Sequence, residues 1–268
     1  ALRSDDMVTS NHRGHGHFLA KGGDPGRIMA ELHGKATGYS GGRGGSQHMA
    51  AFDLGFLGSN GITGGMVPIA TGAALTQAIT RSGRVVLCFF GDGASGQGAF
   101  HEALNMGTTW RLPIVYFCEN NHYAMSTPLR EAFAEPSVAA RVAGYGLQTM
   151  QADGNDYFSV RQVTQNAVSA ARDGHGPVLV EAITYRMCGH SKSDKCEYRT
   201  DDEEQQWARR DPIQAMGRRL LDDGIASETE LDALAHKAVA DIEAAVAYAR
   251  QSSDPDPKTV QDDLFATF

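Results

Sequence analysis

Two apolar runs, residues 85–90 and 114–118, bracket the stretch that most limits what this chain can fold into. The first run ends in Gly91-Asp92-Gly93 and the second in Glu119-Asn120-Asn121. Between them Phe100, Ala103, Leu104, Gly107 and Thr108 recur at helical spacing, which predicts a helix over 97–110. The unit therefore reads strand, glycine turn, helix, strand, polar pair. Strands joined through a helix run parallel, and ligands of such sheets gather outside the carboxyl ends of the strands. Asp92 and Asn121 are thereby expected side by side, at the ends of two consecutive parallel strands.

A carboxylate and an amide oxygen are hard ligands, suited to magnesium or calcium rather than zinc or copper. The glycines beside Asp92 permit close backbone approach. The N–H groups of Gly93, Ala94 and Ser95 lead into a helix start, where free donors and the helix dipole favour an anion. One acid, one amide and an anion cradle describe a site for a magnesium diphosphate. Gly-Asp-Gly alone reads equally as a turn, with Asn121 capping the next segment. The pairing of the two strand ends favours the site.

The rest of the composition narrows the class. At 268 residues the chain has room for a substantial core, as one large domain or two small ones. A net charge of −8 argues against nucleic acid or an anionic membrane as the main partner. No apolar run nears the roughly 20 residues that span a bilayer, and no signal-peptide pattern is visible. Cys88 and Cys118 fall inside apolar strands, and the four cysteines show no paired metal spacing. Buried thiols of that kind fit a reducing cytosol or matrix. A Walker sequence is absent, and Gly96-Gln97-Gly98 does not complete a dinucleotide fingerprint in register.

Along the chain, residues 5–17 form a polar tract ending His12-Arg13-Gly14-His15-Gly16-His17. It reads as a metal tract, a solvated basic loop or an anion loop; the spacing fits no closed zinc site, and arginine suits an anion. A short helix over 27–33 precedes a glycine-dense tract, 34–45, that closes in Ser46-Gln47-His48-Met49. A second glycine loop, 58–67, opens into a helix over 69–80. Further on, a short helix is expected over 137–144, a weak strand near 146–151, a helix over 158–172 and a parallel strand over 177–185. That strand ends at Arg186-Met187-Cys188-Gly189-His190-Ser191, again at the expected site end of the sheet. Residues 201–211 are a charged helix or linker. Ser227 with Glu230 forms a capping-box pattern that starts a last helix. Its stripe of Leu231, Leu234, Ala238, Ile242, Ala245 and Ala249 is expected to pack on the core or on a neighbouring subunit.

Gly91-Asp92-Gly93, continued by Ala94-Ser95-Gly96-Gln97-Gly98 and closed by Glu119-Asn120-Asn121, resembles the thiamine diphosphate motif. The family it looks most like is the alpha subunit of the decarboxylating component of 2-oxo acid dehydrogenase complexes, of the pyruvate, branched-chain and acetoin types. The resemblance runs from about Thr9 to the acidic stretch after Arg199. It implies an α/β thiamine-diphosphate-binding fold, a mostly parallel sheet flanked by helices. It further implies a diphosphate-binding domain over 1–200 and a C-terminal helical extension over 201–268. The same likeness assigns His12 and Arg13, with Gly93 and Ala94, to the diphosphate. Backbone of Gly61 and Thr63 goes to the pyrimidine ring, with Ile62 between them. Asp92, Asn121 and the carbonyl of Tyr123 go to magnesium, His15 to the substrate side, and His190 to the reactive end as an acid–base or acyl-transfer group. His17 receives no role, and for His48 a structural role is at least as well supported as a catalytic one.

Family members decarboxylate a 2-oxo acid, or cleave acetoin, and transfer the acyl group to a lipoyl carrier. The resemblance therefore implies thiamine diphosphate and magnesium as cofactors and a beta subunit carrying the pyrimidine-binding domain, as an α2β2 tetramer. It also implies a lipoyl-domain acyltransferase as acceptor and a cytoplasmic setting, bacterial rather than mitochondrial. An acyl carrier protein as acceptor of a two-carbon unit is the alternative, and a non-catalytic magnesium-nucleotide module a more distant one. Three departures stand out. Cys188 replaces the family's usual histidine, one residue is missing between Ser191 and Tyr198-Arg199-Thr200, and His12-Arg13 comes almost at once where the family carries an N-terminal helical segment first, so that either residues were lost or the branch is naturally short. The first two bear on substrate preference.

Overall fold

The structure, a computed structural model, describes residues 1–262. The first half runs β1 (Met7–Asn11), α1 (His15–Ala20), α2 (Pro25–Leu32), β2 (Phe56–Asn60), α3 (Met66–Thr80), β3 (Val86–Gly91), α4 (Gly98–Thr109) and β4 (Ile114–Asn120). A two-residue-strand hairpin comes next, β5 (Tyr123–Ala124) and β6 (Thr127–Pro128), then α5 (Leu129–Ala132), α6 (Val138–Arg141), β7 (Gln148–Asp153), α7 (Tyr157–Ala170) and β8 (Val178–Ile183). The C-terminal extension holds α8 (Asp201–Ala208), α9 (Pro212–Asp222) and α10 (Glu228–Gln251). Of the extension expected over 201–268, residues 263–268 lie outside the described residues.

Six strands form one sheet in the order β2-β1-β3-β4-β8-β7, every neighbouring pair parallel. The fold is the expected α/β class, a parallel sheet flanked by helices. The central strands are apolar almost throughout because both faces are covered. Val86, Cys88 and Phe90 point to one face, under Val67, Ala70 and Ala74 of α3 and Phe100, Ala103 and Leu104 of α4. Leu87, Val115 and Phe117 point to the other, under Phe18 of α1, Ile28 of α2 and Ala167 and Val168 of α7. Each fully buried large side chain of this kind contributes roughly 1.5–3 kcal/mol. Chain order reverses between β1 and β3, and such a switch point opens a crevice at the strands' carboxyl ends.

Local chemistry sets the helix boundaries. Asp24 caps α2 by accepting from Arg27 N at 2.8 Å, with Pro25 in the first turn. Thr200 caps α8, which decides between the two readings of residues 201–211 in favour of a helix. Ser227 and Glu230 form the full capping box of α10. The stripe of α10 is only half covered, however. Ala245 and Ala249 are buried where the helix crosses α2, while Leu234 and Ile242 remain exposed.

Two strands correct the sequence reading. Residues 5–17 are not simply a loop, since β1 and the start of α1 lie within them; the second glycine loop, expected from Gly58, is in fact β2 as far as Asn60. Both strands were hidden by their polarity: Thr9 and Ser10 are buried between β2 and β3, and Ser59 on the edge strand β2 is buried between β1 and the Gln47–Met49 backbone, not by an apolar pattern of their own.

Candidate active site

The carboxyl ends of five strands deliver the sequence-predicted residues to one edge of the sheet. β1 leads to His12 and Arg13, β2 to Gly61 and Thr63, β3 to Asp92, β4 to Asn121 and β8 to the segment holding His190. Gly91 pairs in register with Glu119, so Asp92 and Asn121 emerge from adjacent strands.

Asp92 is 1 % exposed. Its Oδ1 accepts from Asn121 N at 3.2 Å, while Oδ2 is buried with no hydrogen-bond partner. Burial pushes its carboxyl up to about 6, against the opposing pull of the Asn121 amide and of Arg186 and Arg141. An unpaired buried carboxylate oxygen is costly unless something meets it. Asn121 turns its side-chain oxygen back to Tyr123 N at 3.3 Å, so both groups border one small turn. His122 between them adopts φ 70°, the left-handed region that few non-glycine residues occupy. The hard-oxygen donor set and the orphaned Oδ2 fit a divalent cation.

Residues Asp92–Gly96 wind as a 3-10 turn directly into α4. A Cβ on Gly93 would lie 2.6 Å from that of Ala124, so only glycine lets the hairpin β5–β6 close over the turn. Arg141 Nη2 donates to Ser95 Oγ at 2.6 Å, and Ser95 Oγ donates to the Asp92 carbonyl. The loop after β2 reaches the same turn, with Gly64 packed against Gln97 and the Ala94 carbonyl. Thr63 and Ile62 are exposed on that loop.

Arg13 and His190 meet. Arg13 Nη1 donates to the His190 carbonyl at 2.8 Å, and Nη2 lies 2.6 Å and 2.9 Å from the two ring nitrogens. Arg186 Nη1 approaches Nδ1 at 3.2 Å. Burial and then these two guanidiniums hold the imidazole below its ordinary value, which favours the neutral ring at pH 7. Arg13 Nε also donates to His12 Nε2 at 3.2 Å, and burial lowers His12 as well. Such convergence of donors is an anion-binding arrangement. His15 sits apart from this group, its Nε2 3.0 Å from Ser46 Oγ at the end of the glycine-dense tract.

Several residues were not legible in the sequence. His17 stacks on Phe89 at 3.7 Å and joins Ser10 Oγ to Glu119 Oε1, bridging β1 and β4. Arg186 ties the His190 segment to the β5–β6 hairpin through the Met125 carbonyl. Its place directly after a strand and four residues before His190 was the available signal. Glu203 of α8 accepts from Tyr123 and Tyr185 at 2.7 and 2.9 Å, so the side chain of Tyr123 faces the extension. Nothing in the sequence pointed to Glu203 or to Arg141. The described residues contain no cluster of three or more histidine, cysteine or acidic groups able to hold a metal. The cation reading therefore rests on Asp92, Asn121 and backbone oxygen. No helix among the described residues is long and apolar enough to cross a membrane.

A parallel α/β sheet that gathers a hard-oxygen pair and converging cationic donors at its strands' carboxyl ends has the layout of a cofactor-binding enzyme of the α/β class. The chain belongs to the dehydrogenase E1 component family, whose model matches residues 1–258, and so to an oxidoreductase family. It is 41 % identical over its full length to the alpha subunit of acetoin:2,6-dichlorophenolindophenol oxidoreductase of Bacillus subtilis, 80 % of which is covered. It is 42 % identical over 96 % of its length to the pyruvate dehydrogenase E1 component subunit alpha of Rhizobium meliloti, 74 % of which is covered. The corresponding pyruvate dehydrogenase subunit of Porphyra purpurea is 40 % identical over 99 % of the chain, with 79 % of that relative covered.

Proposed function

We propose that this chain is the alpha subunit of a thiamine-diphosphate- and magnesium-dependent dehydrogenase acting on a 2-oxo acid or acetoin, with transfer of the acyl group to a lipoyl carrier. The observation that carries the reading is the buried, unpartnered Oδ2 of Asp92 beside Asn121, at the same carboxyl edge of the sheet as the Arg13–His190 pair.

In this reading Asp92, Asn121 and the Tyr123 carbonyl hold magnesium. Backbone N–H groups of Gly93 and Ala94, with His12 and Arg13, hold the diphosphate, and Gly61 and Thr63 offer backbone to the pyrimidine ring. When bound, the cofactor supplies a thiazolium that accepts the electron pair released as the substrate's carbon–carbon bond breaks. This chain orients and charges the cleft. Arg13 gives bidentate donors to an oxyanion and holds His190 in place. A neutral His190 can take or return a proton at a ring nitrogen, and His15 lines the substrate side. The pyrimidine-activating acid comes from a beta subunit, so the chain alone is inactive and the working unit is α2β2. The setting is the bacterial cytosol.

The test is calorimetry on the chain reconstituted with its beta subunit. Thiamine diphosphate should bind only with magnesium, ATP and NAD should not bind, and a panel of 2-oxo acids and acetoin with a dye acceptor should show turnover. Turnover by the chain alone, or thiamine diphosphate binding that ignores Asp92→Ala, would overturn the reading.

A further inference from the structure

Glu31 is fully buried in the last turn of α2, where the helix dipole disfavours a carboxylate. The backbone just C-terminal to the helix accounts for its placement. Oε2 accepts from Ser40 N at 2.8 Å and Gly42 N at 2.9 Å, and Oε1 accepts from Gly44 N at 2.7 Å and Gly45 N at 3.0 Å. Four backbone donors on one carboxylate are charge-assisted bonds, stronger than neutral ones. The segment they hold is the glycine-dense tract over 34–45. Its ordering costs more backbone entropy than that of any ordinary loop of the same length. At Gly42, with φ 78°, a Cβ would lie 2.5 Å from Gly34 backbone, so the tract is folded tightly on itself around the carboxylate.

The far end of this tract touches the cleft. Ser46 Oγ lies 3.0 Å from His15 Nε2. The Gln47 carbonyl accepts from Ser59 Oγ at 2.8 Å, on β2. A Cβ on Gly61 would lie 2.6 Å from Gln47 Oε1 and 3.4 Å from the His48 ring, so these side chains press on the start of the 61–65 loop. The metal side of the cleft, Asp92 and Asn121, has no hydrogen bond to this tract among the described residues.

We propose that Glu31 is a positioning residue for the reaction. Its carboxylate locks the 34–48 tract into a wall that sets His15 and the Gly61 backbone on the reactive side of the cleft, while leaving the magnesium side untouched. This rests on the functional reading above and adds a split to it: one buried acid governs turnover, another governs cofactor affinity.

The experiment compares wild type, Glu31→Gln and Ser46→Ala, each reconstituted with the beta subunit, by hydrogen exchange over 34–48, magnesium–thiamine diphosphate affinity, and kcat and KM for the best substrate. Glu31→Gln keeps the shape but faces an amide NH2 toward two N–H donors. Expected are loss of protection at 40, 42, 44 and 45, a fall in kcat of roughly ten- to a hundredfold from misplaced groups, an unchanged requirement for magnesium, and a loss of cofactor affinity well short of that in Asp92→Ala. Ser46→Ala should lower kcat with protection intact, and the double variant should lose less than the product of the two losses. A merely structural role would lower the yield of folded protein and leave kcat per folded site unchanged. Unchanged kcat in Ser46→Ala, or protection retained in Glu31→Gln, overturns the proposal. If Glu31→Gln fails to fold, Ser46→Ala alone decides it. If wild type neither binds thiamine diphosphate nor turns over, the functional reading fails, and the exchange data still report whether Glu31 orders the tract.

Discussion

Two buried carboxylates one strand apart behave in opposite ways. Asp92, after β3, and Glu181, in β8, flank β4 and are both almost wholly excluded from solvent. Glu181 accepts from Asn120 Nδ2 at 2.7 Å, Val138 N and Ser137 Oγ at 2.9 Å, Ala139 N at 3.0 Å and Gln151 Nε2 at 3.1 Å. Burial alone would raise its pKa, but those donors outweigh it and hold the carboxyl below the ordinary glutamate value. Asp92 has one amide on Oδ1, nothing on Oδ2, and a carboxyl pushed up to about 6 by burial. The difference separates an acid that completes the fold from one whose second oxygen the fold leaves unmet. Glu181 joins β4, α6, β7 and β8. Asp92 contributes little to its surroundings and is left with an oxygen to give.

That contrast can be broken. The largest effect is expected for Asp92→Ala, which should lower magnesium-dependent cofactor affinity by more than about a hundredfold, beyond the effect usual for groups that merely support a ligand. Thermal stability should hold or rise, because a poorly compensated buried acid is removed. Calorimetry and a melting curve on the same sample check both. Glu181→Ala should do the reverse. It strands several buried donors and should cost at least about 3 kcal/mol of stability by urea titration, since each unmet group costs roughly 1–3 kcal/mol. A fall in stability for Asp92→Ala as large as that for Glu181→Ala would erase the distinction.

Glu181→Gln sharpens it through pH. A carboxyl held below its unfolded value binds its proton more weakly when folded. Its stabilisation is therefore present above the ordinary value of 4.5 and lost as pH falls through the folded value. Wild type should lose stability on acidification below about pH 4.5, and Glu181→Gln should flatten that limb in urea midpoints taken from about pH 6 to 3. Asp6 keeps part of the limb alive, since its carboxyl is likewise held low: burial opposes this, but the Arg172 bond and two backbone donors prevail. The smallest effect is expected for Ser95→Ala, which removes the link between Arg141 and the Asp92 carbonyl. It should cost about 1 kcal/mol of stability and preserve the magnesium requirement.

The parts of the site readable in advance are those where chemistry and periodicity coincide. Asp92 and Asn121 come after runs of five or six apolar residues, so their strand ends could be located from the pattern alone. His190 comes after a third strand, read over 177–185 from Val178, Val180 and Ile183 alternating with small or polar neighbours. β1 and β2 carried no such mark. Ser10 and Thr9 are buried because β2 and β3 pair on either side of them, a contact between segments dozens of residues apart. Arg141, Glu203 and Glu31 were unreadable for the same reason. Each acts through a partner, respectively Ser95, two tyrosines and the glycine-dense tract, that adjacency in sequence does not reveal.

By itself, the sequence determined a parallel α/β unit with a carboxylate and an amide at consecutive strand ends. Apolar runs, glycine turns and caps are local codes, and their energies are set within a few residues. Only the tertiary structure decided which buried acids are satisfied. Whether Asp92, Glu181 or Glu31 finds donors depends on which backbone amides the fold delivers to it. A carboxylate, equally buried, becomes a brace or is left with an unmet oxygen according to that supply.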